Sequence, residues 1–181
     1  TPTNLVEAIN HYERVVLEMT NSPLNAAAWG RLGDCRLQLG EFALATAAYQ
    51  TVTELPEADV TTRSQAKPGL ARVLAGQADA EGETDVSERF LQQAFDHCLE
   101  IVFGGNLRSA NEKMDPFWVK EAGLMAGRLA KRFGQAEQER KLYTRLAEEL
   151  PTMPLWQVRL DALNGKTNTP VAPTPPQPPT P

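Results

Sequence analysis

The sequence predicts an all-α chain made of antiparallel helix hairpins. Two observations carry the prediction. In residues 28–56, A-W-G-R-L-G-D-C-R-L-Q-L-G-E-F-A-L-A-T-A-A-Y-Q-T-V-T-E-L-P, two runs of apolar residues recur at helical spacing with a glycine between them. The spacing then returns near the end of the chain: Gly127, Gly134, Tyr143 and Leu146 have the same separations as Gly33, Gly40, Tyr49 and Val52.

In the first of these stretches, Trp29, Leu32, Arg36 and Leu39 form one stripe, and Phe42, Ala45, Tyr49 and Val52 form the other. Gly40 stands between them, where a residue that tolerates positive φ ends a helix and turns the chain. So short a connection forces the helices antiparallel. Gly33 and Ala45 are small and lie on the inward stripes, which lets two backbones approach while Trp29 and Tyr49 fill the space beside them. On this reading Trp29→Ala costs about 3–5 kcal/mol.

The pattern of Trp29, Leu32, Gly33, Ala45, Tyr49 and Val52 resembles a tetratricopeptide repeat, a helix–turn–helix unit of about 34 residues. This copy departs from the family in Arg36, where an aromatic residue is usual, and in Pro56, which arrives one residue early. The resemblance implies a right-handed α-solenoid of about eight helices, three hairpins flanked by a half-repeat and a C-terminal capping helix.

The other elements follow in order. Residues 3–20 read as one helix with Leu5, Ala8, Tyr12 and Val15 inward, spaced as in the second helix of the clear repeat, and Asn21-Ser22-Pro23 breaks it. Residues 59–80 read as the next helix, interrupted by Lys67-Pro68-Gly69. Proline there is compatible with a kinked long helix or with a helix that starts at Pro68. Residues 87–103 are its partner, with Leu91, Ala94, Cys98 and Ile101 inward and Ser87 or Asp85 as N-cap. Between them, 78–85 reads as an acidic loop, but its carboxylates do not have the order of a calcium loop. Gly104-Gly105-Asn106 ends the helix and 107–115 is a polar connector.

Asp115 and Pro116 open the last hairpin as N-cap and first helical residue. Glu139 stands where the first hairpin has Ala45, so that site needs a wider gap or an open face. Residues 155–163, with Trp156, Leu160 and Leu163 as a stripe, read as the capping helix, so the folded domain is expected over 1–163. Residues 164–181 hold half of the chain's 14 prolines and no apolar period, which reads as a disordered Pro/Thr-rich linker.

Composition bounds the function. A formal charge of −5 argues against a nucleic-acid footprint, and no apolar run reaches the length of a membrane span. The opening T-P-T-N has no basic and apolar leader, and the start at Thr1 is expected to reflect a fragment of a longer protein. Cys35 and Cys98 have no metal-ligand spacing, and Cys98 on its apolar stripe reads as a buried thiol. His11 and His97 stand alone, and no nucleophile, nucleotide or metal motif is present, so neither enzyme activity nor a cofactor is expected.

The resemblance implies instead a scaffold that binds a peptide or partner helix on a concave face lined by the first helix of each hairpin. Carried onto this chain, that face has Gly30, Asp34, Leu37 and Gln38 in the clear repeat, and Leu124, Arg128, Lys131 and Arg132 in the last. Asp34 and Gln38 do not match the family's clamp for a C-terminal carboxylate, whereas Arg128, Lys131 and Arg132 suit acidic side chains or a helix C-terminus. The rival expectation is a spacer or regulatory module of a larger protein. A weaker resemblance, to bacterial envelope-associated repeat proteins whose second helices read aromatic–Val–Leu–Pro, inclines the expected location toward a bacterial envelope.

Overall fold

The structure is a computed structural model that describes residues 2–165. The expectation for residues 166–181 therefore lies outside the described residues. Eight α-helices and no strand are present among those described: α1 Pro2–Glu18, α2 Pro23–Gln38, α3 Phe42–Glu54, α4 Val60–Glu81, α5 Asp85–Val102, α6 Pro116–Arg132, α7 Ala136–Glu149 and α8 Pro154–Leu163. Each helix packs on the next in sequence, and α2 also meets α4, α4 meets α6, and α5 meets α7.

The helix ends show why the chain turns where it does. The Ser22 hydroxyl accepts from the Leu24 N–H and Pro23 takes the first helical position of α2. At the other end Gly40 has φ 73°, the Gly40 N–H donates to the Leu37 carbonyl and the Glu41 N–H to the Arg36 carbonyl. The α6–α7 turn repeats this: Gly134 has φ 65°, its N–H donates to Lys131 and the Gln135 N–H donates to Ala130. Both are left-handed caps that consume orphan carbonyls of the preceding helix. The sequence repeat is thus also a repeat of backbone hydrogen bonding.

The two glycine-bearing hairpins pack alike. Tyr49 is fully buried, and a Cβ on Gly33 of α2 or Gly69 of α4 would stand 2.6 Å or 2.5 Å from its ring. The ring therefore lies between two bare backbones. Tyr143 of α7 similarly meets Gly127 of α6, where a Cβ would stand 2.6 Å from the phenol oxygen, and its ring stacks on Trp156 of α8. Trp156, not Trp29, is the fully buried indole. Trp29 is half-buried and bridges the cluster of α1–α3 to that of α2–α4, with one edge open beside Glu13 and Leu44.

Several expectations change. Helix α4 runs unbroken through buried Pro68, which settles the alternatives in favour of one long helix, with the Asp59 carboxylate accepting from the Thr62 N–H at its start. Half of the acidic 78–85 segment, residues 78–81, is the last turn of α4, and Asp85 already belongs to α5. Only Gly82, Glu83 and Thr84 link the helices, and Thr84 is the N-cap of α5, with Ser87 as its reciprocal partner in a capping box. On α1 the inward stripe is rotated: Ile9 and Val16 are buried, whereas Leu5, Ala8, Tyr12 and Val15 are half-buried. The side-chain amide of buried Asn25 donates to the Val16 carbonyl at 2.9 Å and closes the C-terminal end of that helix.

Charged side chains fix the corners. Arg36 pairs with Glu13 of α1 at 2.8 Å and with Glu41 in the turn at 2.6 Å, so it ties three segments in the place of an aromatic contact. Arg63 of α4 is buried and reaches the Ala58 carbonyl, the Asn106 carbonyl and Glu112. Arg108 donates to the carbonyls of Thr53, Leu55 and Pro56. The polar 107–115 connector is therefore bonded across the start of α4.

Candidate functional site

The first residue that the sequence marks for binding, Asp34, is already engaged. Its Oδ1 accepts from the Tyr49 hydroxyl at 2.7 Å and from Arg72 at 3.1 Å, and its Oδ2 accepts from Gln65 at 2.9 Å and Arg31 at 3.4 Å. Burial, and then the hydrogen bond to Asp34, hold the Tyr49 phenol well above its ordinary pKa. Asp34 is thus the acceptor that allows a tyrosine hydroxyl to be buried between α2 and α4. Leu37 is half-buried against the α2–α4 cluster, and Gln38 is exposed.

Around Asp34 opens a cavity of about 390 Å³. Arg31 and Gln38 of α2 and Gln65 and Arg72 of α4 supply hydrogen-bonding groups, and Tyr12 of α1 and Trp118 of α6 supply aromatic surface. Asp115 caps α6 by accepting from the Phe117 and Trp118 N–H groups, which fixes the backbone that carries Trp118. Phe117, 54% exposed, meets the Trp118 ring edge-on at 4.8 Å. Four helices thus contribute to one surface of amides, guanidinium groups and rings, which is a surface suited to hydrogen-bonding a peptide and covering its side chains.

The basic trio of the last hairpin is divided. Arg128 and Lys131 are exposed and line a cleft of about 470 Å³ with Glu139 and Tyr143 of α7 and Arg159 of α8. Arg132 turns instead toward Asp85, Glu88 and Arg89 at the start of α5. Arg159 donates to the Tyr143 hydroxyl at 3.3 Å and lies over the rings of Tyr143 and Trp156 at 5.5 and 5.8 Å. Glu139 is only 9% exposed, and its buried side chain is accommodated because it faces this cleft.

The remaining titratable groups sit apart from both cavities, except Cys35, which lines the first. Burial raises the Cys35 thiol, and Asp34 raises it further. Burial pushes Cys98 up to about 12, so both thiols are protonated near neutrality. His97 is half-buried beside the Lys67–Glu100 pair; burial and then Lys67 lower its pKa. Among the described residues, no three His, Cys, Asp or Glu side chains gather as a metal would require, and no helix is long and apolar enough to cross a membrane.

Sequence reasoning missed Tyr12, Gln65, Arg72, Trp118 and Arg159. Gln65 and Arg72 flank Pro68, so an undecided start for α4 left their face undecided too. Arg159 lies on α8, whose apolar stripe marks it only as a cover, although the spacing of Arg159 from Trp156 copies that of Arg72 from Gly69. No protein-family model matches the chain, and no curated protein or solved structure is similar enough to count as a relative.

Proposed function

We propose that the chain is a tetratricopeptide-like right-handed solenoid that serves as a non-catalytic protein-interaction scaffold. Its partner is a peptide or helix seated on the face that α2, α4 and α6 share. The observation that carries this reading is the cavity at Asp34, because one surface draws on α1, α2, α4 and α6. Helices α2, α4 and α6 are first helices of successive hairpins, and each touches the next. A row of first helices is the inner wall of such a solenoid, the surface these proteins use for extended partners. Asp34 in this reading positions Arg31, Gln65 and Arg72 and leaves recognition to them and to Tyr12 and Trp118. The chain's mild acidity supports a protein partner over a nucleic acid.

A random-peptide display selection on the whole chain tests this. Enriched peptides are expected to bind at least about tenfold more weakly to Trp118→Ala and Arg31→Glu, the loss typical of an aromatic or arginine anchor. They are expected to bind unchanged to Leu44→Glu, whose side chain is half exposed on α3. Peptides that ignore Trp118 and Arg31 but are lost with Leu44→Glu place recognition on the second helices. A selection that enriches nothing favours the spacer reading.

A further inference from the structure

The molecule contains its own comparison for the cleft between α6, α7 and α8. In the first hairpin the residue after the packed glycine is Asp34, and it receives the tyrosine hydroxyl of α3 and the arginine of the following helix α4. In the last hairpin the residue after the packed glycine is Arg128. The tyrosine is Tyr143, and the arginine of the following helix is Arg159. The position of the carboxylate is taken by a guanidinium, and the carboxylate beside the tyrosine hydroxyl is instead Glu139 of α7, which after burial helps hold the Tyr143 phenol above its ordinary pKa. Lys131 adds a third cation where the first hairpin has Leu37.

None of Arg128, Lys131 and Arg159 forms an ion pair among the described residues. Glu139 is the one carboxylate lining the cleft, so three cations face one anion. Residues 166–181 contain no aspartate or glutamate, so that segment offers no side-chain carboxylate to close the cleft. Cations gathered in a concave, partly dry surface raise the local concentration of anions and hold them by charge-assisted hydrogen bonds.

We propose that this cleft binds an acidic side chain of a peptide partner, which supplies in trans a carboxylate for Arg128, Lys131 and Arg159, as Asp34 does for Arg31 and Arg72 at the first hairpin. A peptide fits better than a bare anion because the cleft is also lined by the ring of Tyr143, Ala162 and Leu163, an apolar wall for the residue beside the acid. The proposal deepens the interaction-scaffold reading and rests on it, but it concerns a different cavity from the one at Asp34.

The test measures fluorescence polarisation of a labelled peptide of alternating leucine and glutamate on the full chain. A leucine–glutamine peptide serves as the comparison and inorganic phosphate as a competitor. Arg128→Glu and Arg159→Glu are expected to weaken binding by about tenfold or more, the equivalent of one lost charge-assisted hydrogen bond. Arg132→Glu makes the same change in net charge on the same helix, at a residue that lines the cavity at the start of α5 and not the cleft, and is expected to weaken binding less than either. The double variant Arg128→Asp/Glu139→Ala rebuilds the first hairpin's arrangement. It is expected to melt no lower than the parent while losing the acidic peptide, which separates loss of the site from loss of the fold.

Equal weakening by Arg132→Glu overturns the site in favour of diffuse attraction. Equal binding of the glutamine peptide overturns the acidic preference. Displacement by phosphate at the peptide's own concentration overturns the peptide as occupant. If the displayed peptides bind through Trp118 and the acidic peptide ignores Arg128, the cleft proposal fails alone; if neither cavity captures a peptide, the scaffold reading fails with it.

Discussion

Tyr49 shows in one side chain how this protein resolves the conflict between burial and polarity. Its ring fills the gap left by Gly33 and Gly69, and its hydroxyl is satisfied by Asp34. A methyl at Gly33 has no room, because it would meet a ring that Gly69 holds from the other side. Gly33→Ala is therefore expected to destabilise by about 1–3 kcal/mol, the usual cost of overpacking, and an unchanged denaturation midpoint would contradict the packing. Trp29→Ala is expected to cost about 3 kcal/mol, the lower end for an indole, since one edge is open to solvent. A thermal melt reads this directly. The large-beside-small pattern was legible in the sequence from Gly33, Ala45 and Tyr49. Which aromatic residue would be sealed was not, because helical spacing gives the face of a residue and not what crosses over it. Trp156 is sealed because Tyr143 stacks on it, a contact between helices that no local period records.

At the scale of the element, helix α4 departs furthest from a simple hairpin helix. It carries Pro68 in its interior, yet Asp59 caps its start, Arg63 is bonded to the connector, and Gln65 and Arg72 reach Asp34. Packing on both sides outweighs the local penalty of the proline. That balance lies in contacts distant along the chain, so the sequence left the start of α4 open. The acidic 78–85 segment misled for a related reason: a charged last turn and a charged loop have the same composition. The link to α5 has its own pH signature. His97 is faced by Lys67 of α4 and by Asp96 and Glu100 of α5, and its pKa is lowered, so the unfolded chain binds a proton more readily than the folded one. Its contribution is present above pH about 6.5 and is lost as the pH falls through the folded value. Asp59 and Glu112, also lowered through their hydrogen bonds to Thr62 and Arg63, lose theirs at more acidic pH. The melting temperature is expected to fall from pH 7 toward 5 in the parent and to fall less in His97→Gln; parallel curves would contradict the assignment.

At the scale of the whole molecule, eight helices pack in chain order and leave one surface to which α1, α2, α4 and α6 all contribute. The helix count and the hairpin order were readable from apolar period and glycine spacing. The candidate site was readable only in part. Arg128 and Lys131 do share a cleft, but Arg132 leaves it, and the missing member, Arg159, comes from a helix that sequence treats as a cover. Our proposal that the face of first helices is the working surface is tested most directly by backbone-amide NMR of the whole chain, with and without a peptide enriched by display. The account predicts shift changes concentrated in α2, α4 and α6 and at Trp118. Changes confined to α3 and α5, with Trp118 unmoved, would contradict it.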